Sequence, residues 1–398
     1  MMNLNAENGV IVVGAGPVGL TLALSLRRAG MTVTVLEKRG AVNEQSKAST
    51  FHASTLDILE GVGVLDQMLE TGSVVSQIQY RAPDGTMLAM LDFGLLKGRV
   101  RNPFRLHFEQ TNLTKLLRDA FIEAGGMIHF GAGLTSLDQD AHGVTATAGD
   151  GSQHTSAVLF GCDGAQSATR EAVRIGYVEK PYPGNVLRLY VDMDLRRFIP
   201  DLGGIVYLHE GEDACSLLEM HDCWRIVVRV PAGISEAEAT SDDWVTQRLS
   251  KFLPIAQILP HVTGRDVYSA RRRRALAASA GRVYLAGDAL HLTNTKGGMN
   301  MNAGIHDAIA FAAAMTQAAT AGSTSPLDRA AFERERVTRE ILIPRTDENI
   351  GTGSERVARI AALSQDTAKA TTFLAKQAML DMLDGVPAGA VGSGGAHG

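Results

Sequence analysis

The pattern of apolar and polar positions predicts that the chain opens with a strand–helix–strand unit. An apolar run over residues 9–13 predicts a buried strand, and a glycine-rich turn over 14–19 follows it. Helical spacing over 17–29 ends near Gly30, and the β-branched run over 31–36 predicts a second strand. Two strands joined through a helix lie parallel in one sheet, which predicts an α/β fold.

In the middle of the chain the period of the pattern changes towards two. Residues 73–91 and 185–231 predict antiparallel strands joined by turns. Residues 54–69 and 111–124 have helical spacing instead. Strands inserted between segments of the βαβ type predict a second layer built for a substrate rather than for a nucleotide.

After residue 281 the pattern returns to an apolar strand, over 282–286, followed by a glycine-rich loop. Helices are predicted over 302–320, 327–345 and 355–383. The tail over 386–398 is mostly glycine and alanine, and this composition predicts disorder because few large apolar side chains are present.

Together these elements predict a Rossmann-like domain of the α/β class with an interleaved antiparallel-sheet substrate domain and C-terminal helices. The Rossmann-like domain is discontinuous in this prediction and comprises residues 1–72, 98–180 and 265–345. The sheet domain comprises residues 73–97 and 181–264. A helical segment over 346–385 and the disordered tail over 386–398 complete the chain.

Composition narrows the classes of function. Hydrophobic residues make up 45% and charged residues 20%, as in globular proteins with a large core. The net charge of −5 gives no electrostatic reason to expect nucleic acid or an acidic membrane as a partner. Cys162, Cys215 and Cys223 have no CxxC spacing, which argues against a disulfide framework or a zinc site. With no signal peptide and no long apolar stretch, we expect a soluble cytoplasmic protein without a metal.

The first motif that carries chemistry is the run Gly14-Ala15-Gly16-Pro17-Val18-Gly19 between a strand and a helix. Gly14 permits the tight turn, Gly16 lets backbone amides approach a pyrophosphate, and Gly19 lets the helix pack on the strand. Glu37 ends the second strand, where a carboxylate accepts hydrogen bonds from ribose hydroxyls and repels a 2′-phosphate. The motif predicts binding of FAD or NAD rather than NADP.

The second and third motifs are acidic turns that follow predicted strands. Asp163-Gly164 comes after one strand, and Ser167 is placed to cap a helix that contains Arg170. Gly287-Asp288 comes after another strand and precedes His291 and a glycine loop that opens a helix. Taken alone, the second motif is a capped turn and the third is a glycine-rich connection.

In this order, the three motifs resemble those of the single-component (group A) FAD-dependent aromatic hydroxylases, monooxygenases built like para-hydroxybenzoate hydroxylase. The family has an N-terminal GxGxxG, a central D-G and a late G-D-x-x-H, and the match spans roughly residues 9–345. The resemblance implies that the Rossmann-like domain binds FAD. It implies that Glu37 holds the adenosine ribose and Asp288 the ribitol, with Gln110 near the flavin and Lys47 near the pyrophosphate. The cofactor-binding candidates are Gly14, Gly16, Pro17, Val18, Gly19, Glu37, Lys38, Lys47, Gln110, Asp163, Gly287, Asp288, Gly298, Met299, Asn300, Met301 and Asn302.

Two positions depart from the family pattern in the loop after His291. Thr295 stands where the family usually has proline, and Asn300 replaces the second glycine of G-x-G-x-N. Asparagine tolerates positive φ better than other non-glycine residues, so we expect the loop to keep its shape. These positions lie where the family holds the flavin ring and its oxygen adduct.

The activity that the resemblance implies is hydroxylation of a small aromatic or heteroaromatic molecule. In the family, NADPH or NADH reduces FAD, and the flavin reacts with O2 to a C4a-hydroperoxide that transfers one oxygen. Only one complete GxGxxG occurs, so the nicotinamide cofactor would bind transiently. We expect a monomer or a homodimer.

Substrate contacts are expected from the middle sheet and from the loop after Asp288. Each polar strand residue is also compatible with an outward-facing position, and no catalytic residue is assigned. His291 is interpreted as loop scaffold and His306 as a residue of a helix face, while Arg271 to Arg274 form a strand-end cluster or steer NAD(P)H phosphates. The substrate candidates are Arg188, Tyr190, Tyr207, His209, His221, Arg229 and Thr295.

Two alternatives remain open from the sequence. One is a flavin-dependent reductase or dehydrogenase of the same fold, acting on lipid-like substrates. The other is a regulator that binds FAD without catalysis. A flavin-dependent halogenase is disfavoured because it requires a W-x-W-x-I-P segment, and the only tryptophans here are the isolated Trp224 and Trp244.

Overall fold

A computed structural model describes residues 9–43, 48–210, 213–349 and 354–391. Its strands, in chain order, are β1 (Val10–Val13), β2 (Val33–Glu37), β3 (Thr50–Phe51), β4 (Ser73–Val75), β5 (Gln77–Arg81), β6 (Met87–Asp92), β7 (Arg105–His107), β8 (Met127–Phe130), β9 (Leu134–Gln139), β10 (Val144–Ala148), β11 (Gln153–Ser156), β12 (Val158–Gly161), β13 (Tyr177–Pro181), β14 (Asn185–Val191), β15 (Ile205–Glu210), β16 (Asp213–Glu219), β17 (Trp224–Val230), β18 (Val262–Tyr268), β19 (Arg271–Ala275), β20 (Ser279–Ala280), β21 (Val283–Leu285) and β22 (His291–Leu292).

The helices connect and cover these strands. The α-helices are α1 (Pro17–Arg28), α2 (Ala53–Gly61), α3 (Leu65–Thr71), α4 (Gln110–Glu123), α5 (Ala168–Ala172), α6 (Glu236–Ala239), α7 (Asp242–Leu249), α8 (Ile255–Ile258), α9 (Met299–Ala321), α10 (Ser325–Val337), α11 (Ile343–Glu348), α12 (Ser354–Ser364) and α13 (Thr367–Gln377). Short 3-10 turns lie at Phe93–Leu96, Leu195–Arg197, Leu259–His261, Gly287–Ala289 and Leu380–Met382. No helix in the described ranges is both long enough and apolar enough to span a bilayer.

One large sheet has six strands in the order β20-β21-β12-β1-β2-β8, and all neighbours except β20 and β21 run parallel. In β1, Val10 and Val12 face one hydrophobic core while Ile11 and Val13 face another. A strand that is buried on both faces is typical of a parallel sheet covered by helices. The predicted βαβ opening and the mixed α/β fold are confirmed.

The second large sheet has seven strands in the order β18-β14-β17-β16-β15-β5-β6 and is antiparallel except where β15 pairs with β5. One face is apolar, with residues such as Leu189, Leu217 and Ile226, and packs against Val245 and Leu249 of α7. The alternation that predicted antiparallel strands therefore reflects a sheet with one face in a core. The opposite face is free to line a cavity.

Three small sheets complete the fold, with the orders β3-β7-β4, β11-β10-β9 and β13-β19-β22. Strand β7 lies between β3 and β4, and its residues Arg105 and His107 are buried. Strand β19 pairs with β22 through Arg274 and His291, which joins the arginine run to the loop after Asp288. The exact domain boundaries expected from the sequence stay a prediction.

Several helices differ from their predicted bounds. The helix expected over 54–69 is two helices, α2 and α3, separated by Gly63 at a φ of +73°. The helix expected over 327–345 comprises α10, a π-helical turn at Thr338–Leu342 and α11. The helix expected over 302–320 begins three residues earlier, because α9 starts at Met299. Periodicity locates a helix better than it locates its ends.

The C-terminal tail differs from the expectation over its first part. Residues 386–391 form turns, and Val386, Ala390 and Val391 pack against the hydrophobic cores. The carbonyl of Ala390 also accepts a hydrogen bond from Arg101 at 3.1 Å. The disorder expected over 386–398 therefore does not begin at Val386, and residues 392–398 lie outside the described ranges.

Candidate active site

The glycine turn between β1 and α1 has the geometry of a phosphate-binding loop. Gly14 has a φ of +106°, and a Cβ there would lie 2.5 Å from the carbonyl oxygen of Cys162. A Cβ at Gly19 would lie 2.0 Å from the carbonyl oxygen of Gly14, so only glycine allows α1 to approach the strand. A Cβ at Gly16 would meet no atom within 4 Å, because this position faces open space. Backbone amides at the start of α1 are thus accessible to an anion.

Glu37 ends β2 beside this loop and is only 5% exposed. Its Oε2 accepts a 2.8 Å hydrogen bond from the amide of Ala15, and its Oε1 accepts one of 2.9 Å from the amide of Arg39. The carboxylate is thereby fixed at the edge of the cavity, which Lys38 also lines. Lys47, expected near the pyrophosphate, lies outside the described residues.

The second motif forms a capped turn, as the sequence predicts. Ser167 caps α5 and accepts a 2.9 Å hydrogen bond from the amide of Arg170. The Asp163 carboxylate accepts hydrogen bonds from the Ser167 hydroxyl and from the amide and hydroxyl of Thr169. Burial raises the pKa of Asp163, although these hydrogen bonds oppose the shift. The side chain of Asp163 therefore holds its own turn in shape, and the turn lines the cavity.

The third motif brings Asp288 and Asn300 together. The Asn300 Nδ2 donates a 2.7 Å hydrogen bond to the Asp288 carboxylate, and its Oδ1 accepts one of 3.1 Å from the amide of Thr293. Asn300 lies in the first turn of α9 and does not adopt the positive φ considered for it. Gly297 and Gly298 supply that conformation instead, with φ of +94° and +64°.

Three buried titratable groups, which lie beneath the loop, stabilise it. The Asp307 carboxylate contacts the Nε2 of His291 at 2.9 Å and accepts a 2.7 Å hydrogen bond from the Nε of Arg334. It also accepts a 3.0 Å hydrogen bond from the amide of Gly287. Burial would raise the pKa of Asp307, but Arg334 and His291 lower it overall. Burial opposes the charge of His291, yet Asp307 raises the pKa of its imidazole.

Two further sequence candidates have structural partners. His306 is fully buried on α9, where its Nε2 contacts the hydroxyls of Ser54 and Thr55 at 3.2 and 3.1 Å. Asn302 accepts from the amide of His52 at 3.0 Å and donates to the carbonyls of Thr50 and Gly298 at 2.8 and 2.7 Å. Both side chains support the loop and do not line the cavity, in contrast to Met299 and Met301.

One face of the seven-stranded sheet carries rows of side chains across its strands, and most of them line the cavity, although Tyr190 does not. One row contains Tyr190, Arg225, Leu218 and Ile205, and the next contains Arg188, Val227, Ser216 and Tyr207. The substrate candidates Arg188, Tyr207, Arg229 and Thr295 all line the cavity. His209 lines a small adjoining pocket, beside the stacked rings of Tyr80 and Tyr207 at 5.1 Å. His221 lies in the exposed turn between β16 and β17, away from both.

The arginine run of β19 is held by carboxylates. Arg271 and Arg273 contact Glu179 at 2.6 and 2.8 Å. Arg272 and Arg274 contact Asp347 and Glu335 at 2.6 and 2.8 Å. These ion pairs favour the structural interpretation of the run, although Arg273 also lines the cavity.

Sequence reasoning missed four cationic residues of the cavity. They are Arg39 after β2, Arg105 on β7, Arg225 on β17 and Lys296 in the glycine loop. The alternation of β17 places Arg225 on the same face as the predicted Arg229 and is the one signal that marks it. Nothing local in the sequence marks Arg105, since its neighbours come from distant segments.

One cavity of about 780 Å³ connects all these parts. It extends from the glycine loop and Glu37, past Asp163, Asp288 and Gln110, to the polar face of the seven-stranded sheet. Its volume lies in the range that binds cofactors and substrates. The open position at Gly16, the fixed carboxylate of Glu37 and the N-terminus of α9 fit an adenine dinucleotide that carries a flavin.

Comparisons with known proteins agree with this geometry. Residues 7–343 match a family described as FAD binding domain. Para-nitrophenol 4-monooxygenase from Pseudomonas sp. (strain WBC-3) is 27% identical over 353 residues, which cover 86% of this chain and 86% of that protein. Rifampicin monooxygenase from Streptomyces venezuelae is 30% identical over 348 residues, covering 84% of this chain and 69% of that protein. The solved structure of p-nitrophenol 4-monooxygenase from Pseudomonas putida gives a TM-score of 0.85 at 25% identity, covering 95% of this chain and 98% of that one.

Proposed function

The chain belongs to the FAD-binding family of aromatic monooxygenases, and from this premise we propose its reaction and the roles of its residues. The protein binds FAD, takes electrons from NADPH or NADH, and uses O2 to hydroxylate a small aromatic or heteroaromatic molecule. The flavin supplies the redox and oxygen chemistry when bound, and the protein supplies binding, orientation and electrostatics.

The observation that carries the proposal is the continuity of the cavity from the glycine loop to the polar sheet face. A nucleotide-binding regulator requires only the first half of this space. A second half lined by aromatic and cationic side chains provides room for a ring next to the redox centre. A reaction between a bound dinucleotide cofactor and an aromatic substrate requires both halves of the cavity.

The residues near the glycine loop position the cofactor. Glu37 accepts hydrogen bonds from the adenosine ribose, and the amides after Gly14 receive the pyrophosphate. Asp288, with one carboxylate oxygen bound by Asn300, holds the ribitol through its remaining acceptor capacity. The start of α9 presents its amides to the flavin ring, and Gln110 also lines the cavity.

The residues of the sheet bind the substrate and exclude water. Tyr207, Leu218 and Ile205 provide apolar and aromatic surface for a ring. Arg188, fixed by Asp266 at 2.6 Å, adds a charged group whose position is set. Exclusion of water protects a reactive oxygen donor from side reactions.

An experiment with purified protein tests this function. We expect a flavin absorbance spectrum after reconstitution with FAD, and NAD(P)H oxidation that a screen of phenols, hydroxypyridines and quinolones accelerates. Labelled O2 should place one labelled oxygen in the product. Turnover without O2 would identify a reductase, and bound FAD without any turnover would identify a regulator.

The cysteines bear on the cellular location of the protein. All three cysteines are free thiols, which suits the reducing cytoplasm. We propose a cytoplasmic enzyme that is a monomer or a homodimer. Light scattering on the FAD-loaded protein distinguishes the two assemblies.

A further inference from the structure

The walls of the cavity differ in charge. Among the described residues that line it, the carboxylates are Glu37, Asp163 and Asp288, and all three belong to the motifs of the FAD half. Lys38 and Arg39 also line the FAD half, whereas the substrate half, formed by the sheet face, β7 and the glycine loop, is lined by cations and by no described carboxylate. These cations are Arg105, Arg188, Arg225, Arg229 and Lys296.

Arg105 is a buried cation without a carboxylate partner in the described part of the chain. Its side chain is 2% exposed, and its Nε makes no hydrogen bond. One Nη donates a long hydrogen bond of 3.4 Å to the carbonyl of Gln377, and the guanidinium lies 5.1 Å from the centre of the Phe93 ring. Burial lowers the pKa of Arg105, while Tyr207, which also hydrogen-bonds the guanidinium, and Tyr80 oppose this shift. A buried guanidinium that lacks a carboxylate partner is energetically costly, and binding of an anion would offset this cost.

Arg225 has a partner for only part of its guanidinium. Its Nη2 forms an ion pair with Glu109, while its Nε and Nη1 are buried and make no hydrogen bond. The side chain is 2% exposed and lies 5.1 Å from the centre of the Tyr190 ring, which fixes its plane. Arg225 therefore retains N–H donors on the wall of the cavity.

The two arginines lie around one histidine. His107 is on β7, two positions after Arg105 and so on the same face of the strand. Its Nδ1 contacts the carbonyl of Glu219 at 2.6 Å, and its Nε2 makes no hydrogen bond. Burial, together with Arg105 and Arg225, lowers the pKa of His107 to about 4. The imidazole is neutral at pH 7, so the local positive charge belongs to the arginines.

Lys296 adds a third cation from the glycine loop. It lines both the main cavity and the adjoining pocket that contains Tyr207 and His209. In the described part of the chain, no carboxylate forms an ion pair with its ammonium group. Burial, reinforced by Arg356 and Arg229, lowers its pKa to about 7.

We propose that the aromatic substrate carries a carboxylate, and that the free N–H donors of Arg105 and Arg225 bind it, with Lys296 adding positive charge to the same cavity. A guanidinium matches the planar, two-oxygen geometry of a carboxylate and binds it through paired hydrogen bonds. A neutral ring would leave these buried donors without acceptors, which disfavours its binding. The inference rests on the proposed function because it names the substrate class of the same site.

The test measures binding separately from turnover. FAD-loaded enzyme is titrated with benzoate, hydroxybenzoates and 4-methoxybenzoate, each paired with the carboxamide of the same ring. Calorimetry and the flavin absorbance difference report Kd, and NAD(P)H oxidation is recorded in parallel. We expect one or more carboxylates to bind about tenfold or more tightly than the matched carboxamide.

Variants assign the effect to the two arginines. Arg105→Gln and Arg225→Gln should each raise the Kd of the carboxylate about tenfold or more, and change that of the carboxamide less than about threefold. Arg265→Gln is the matched control, because Arg265 lies on β18 of the same sheet and pairs with Asp242 outside the cavity. FAD content and thermal unfolding verify that each variant is folded. Arg105→Lys and Arg225→Lys keep the charge and replace the Gln variants if those do not load FAD.

The outcomes separate this inference from the proposed function. Equal binding of carboxylates and carboxamides, or equal weakening of both by the variants, overturns the carboxylate site. Hydroxylation of neutral phenols alone does the same while leaving the monooxygenase function intact. Selective carboxylate binding without oxygen transfer to any ligand supports the site and contradicts the monooxygenase function.

Discussion

The side-chain amide of Asn300 donates a 2.7 Å hydrogen bond to the carboxylate of Asp288. The Asn300 Oδ1 accepts a hydrogen bond from the amide of Thr293 at 3.1 Å and lies 3.2 Å from the Nδ1 of His291. One side chain thus connects the acidic turn, the loop after it and the first turn of α9. Asn300, which departs from the family pattern, therefore positions the Asp288 carboxylate that we propose to bind the ribitol.

Removing the side-chain amide of Asn300 should weaken FAD binding. Asn300→Ala removes a hydrogen bond to a charged group, which contributes about 1.5–3 kcal/mol, so the Kd for FAD should rise about tenfold or more. Fluorescence titration of the apoprotein with FAD measures the change. Thr316→Ala on the same helix is the control, since among the described residues its hydroxyl bonds only to the Ala312 carbonyl, at 3.1 Å. An unchanged Kd in Asn300→Ala would show that Asp288 is positioned without Asn300.

The charge of Glu37 should also matter for FAD. Glu37→Gln keeps the size of the side chain but removes the charge that strengthens its hydrogen bonds from Ala15, Arg39 and the ribose. We expect the Kd for FAD to rise about tenfold, measured by the same titration. Glu123→Gln, at the exposed end of α4, should leave it unchanged. A Glu37→Gln protein that binds FAD as tightly as the parent would remove Glu37 from the ribose site.

The parts of the site that follow from local sequence are predictable. Gly14 and Gly19 have the roles that the GxGxxG spacing predicts, because each role depends on one turn between one strand and one helix. The alternation of β14 and β17 likewise indicates which residues share a face. Arg188 and Arg229, which the sequence predicts as substrate candidates because they are polar residues at strand positions, both line the cavity.

The parts that depend on distant segments were not predictable. Arg105 contacts Gln377, a residue more than two hundred positions away in the chain, and Arg225 contacts Glu109. No spacing in the sequence indicates that two isolated arginines share one cavity. Asn300 was considered as a substitute for a glycine at positive φ, but the preceding Gly297 and Gly298 take that conformation. The role of Asn300 becomes visible only in the folded structure, where the first turn of α9 lies beside Asp288.

The buried carboxylate of Asp307 should be required for stability. Asp307→Asn leaves Arg334 without its buried counter-ion, and breaking a buried pair in this way costs about 3–5 kcal/mol. The midpoint of urea unfolding of the FAD-loaded protein should fall accordingly. Asp119→Asn is the control, because Asp119 is 61% exposed and pairs with Arg118 at the surface. This change should lower the free energy of unfolding by less than about 1 kcal/mol. Similar midpoints for the two variants would contradict the assignment.

His306 should make the protein less stable as the pH falls. Burial, with Arg334 adding to it, lowers the pKa of His306 to about 3, whereas an unfolded histidine titrates near 6.5. Below pH 6.5 the unfolded chain therefore takes up a proton that the folded chain does not, and the free energy of unfolding decreases. His306→Asn should reduce the slope of this free energy between pH 4 and 5.5 by about 1.4 kcal/mol per pH unit. Denaturation series at several pH values measure the slope, and exposed His221→Asn should leave it unchanged.

Lys296 should give the binding of an anionic substrate a pH dependence near neutrality. Its pKa is lowered to about 7 by burial and by Arg356 and Arg229, so the ammonium loses its proton as the pH rises through 7. The other titratable groups beside it, Tyr80, Tyr207 and His209, carry no negative charge to counter this shift. The Kd of 4-methoxybenzoate, which stays ionised throughout, should rise between pH 7 and 9 in the parent enzyme and stay flat in Lys296→Met. Lys376→Met, at an exposed position of α13, should behave as the parent. If the parent's Kd is already independent of pH, Lys296 does not contribute its charge to the carboxylate.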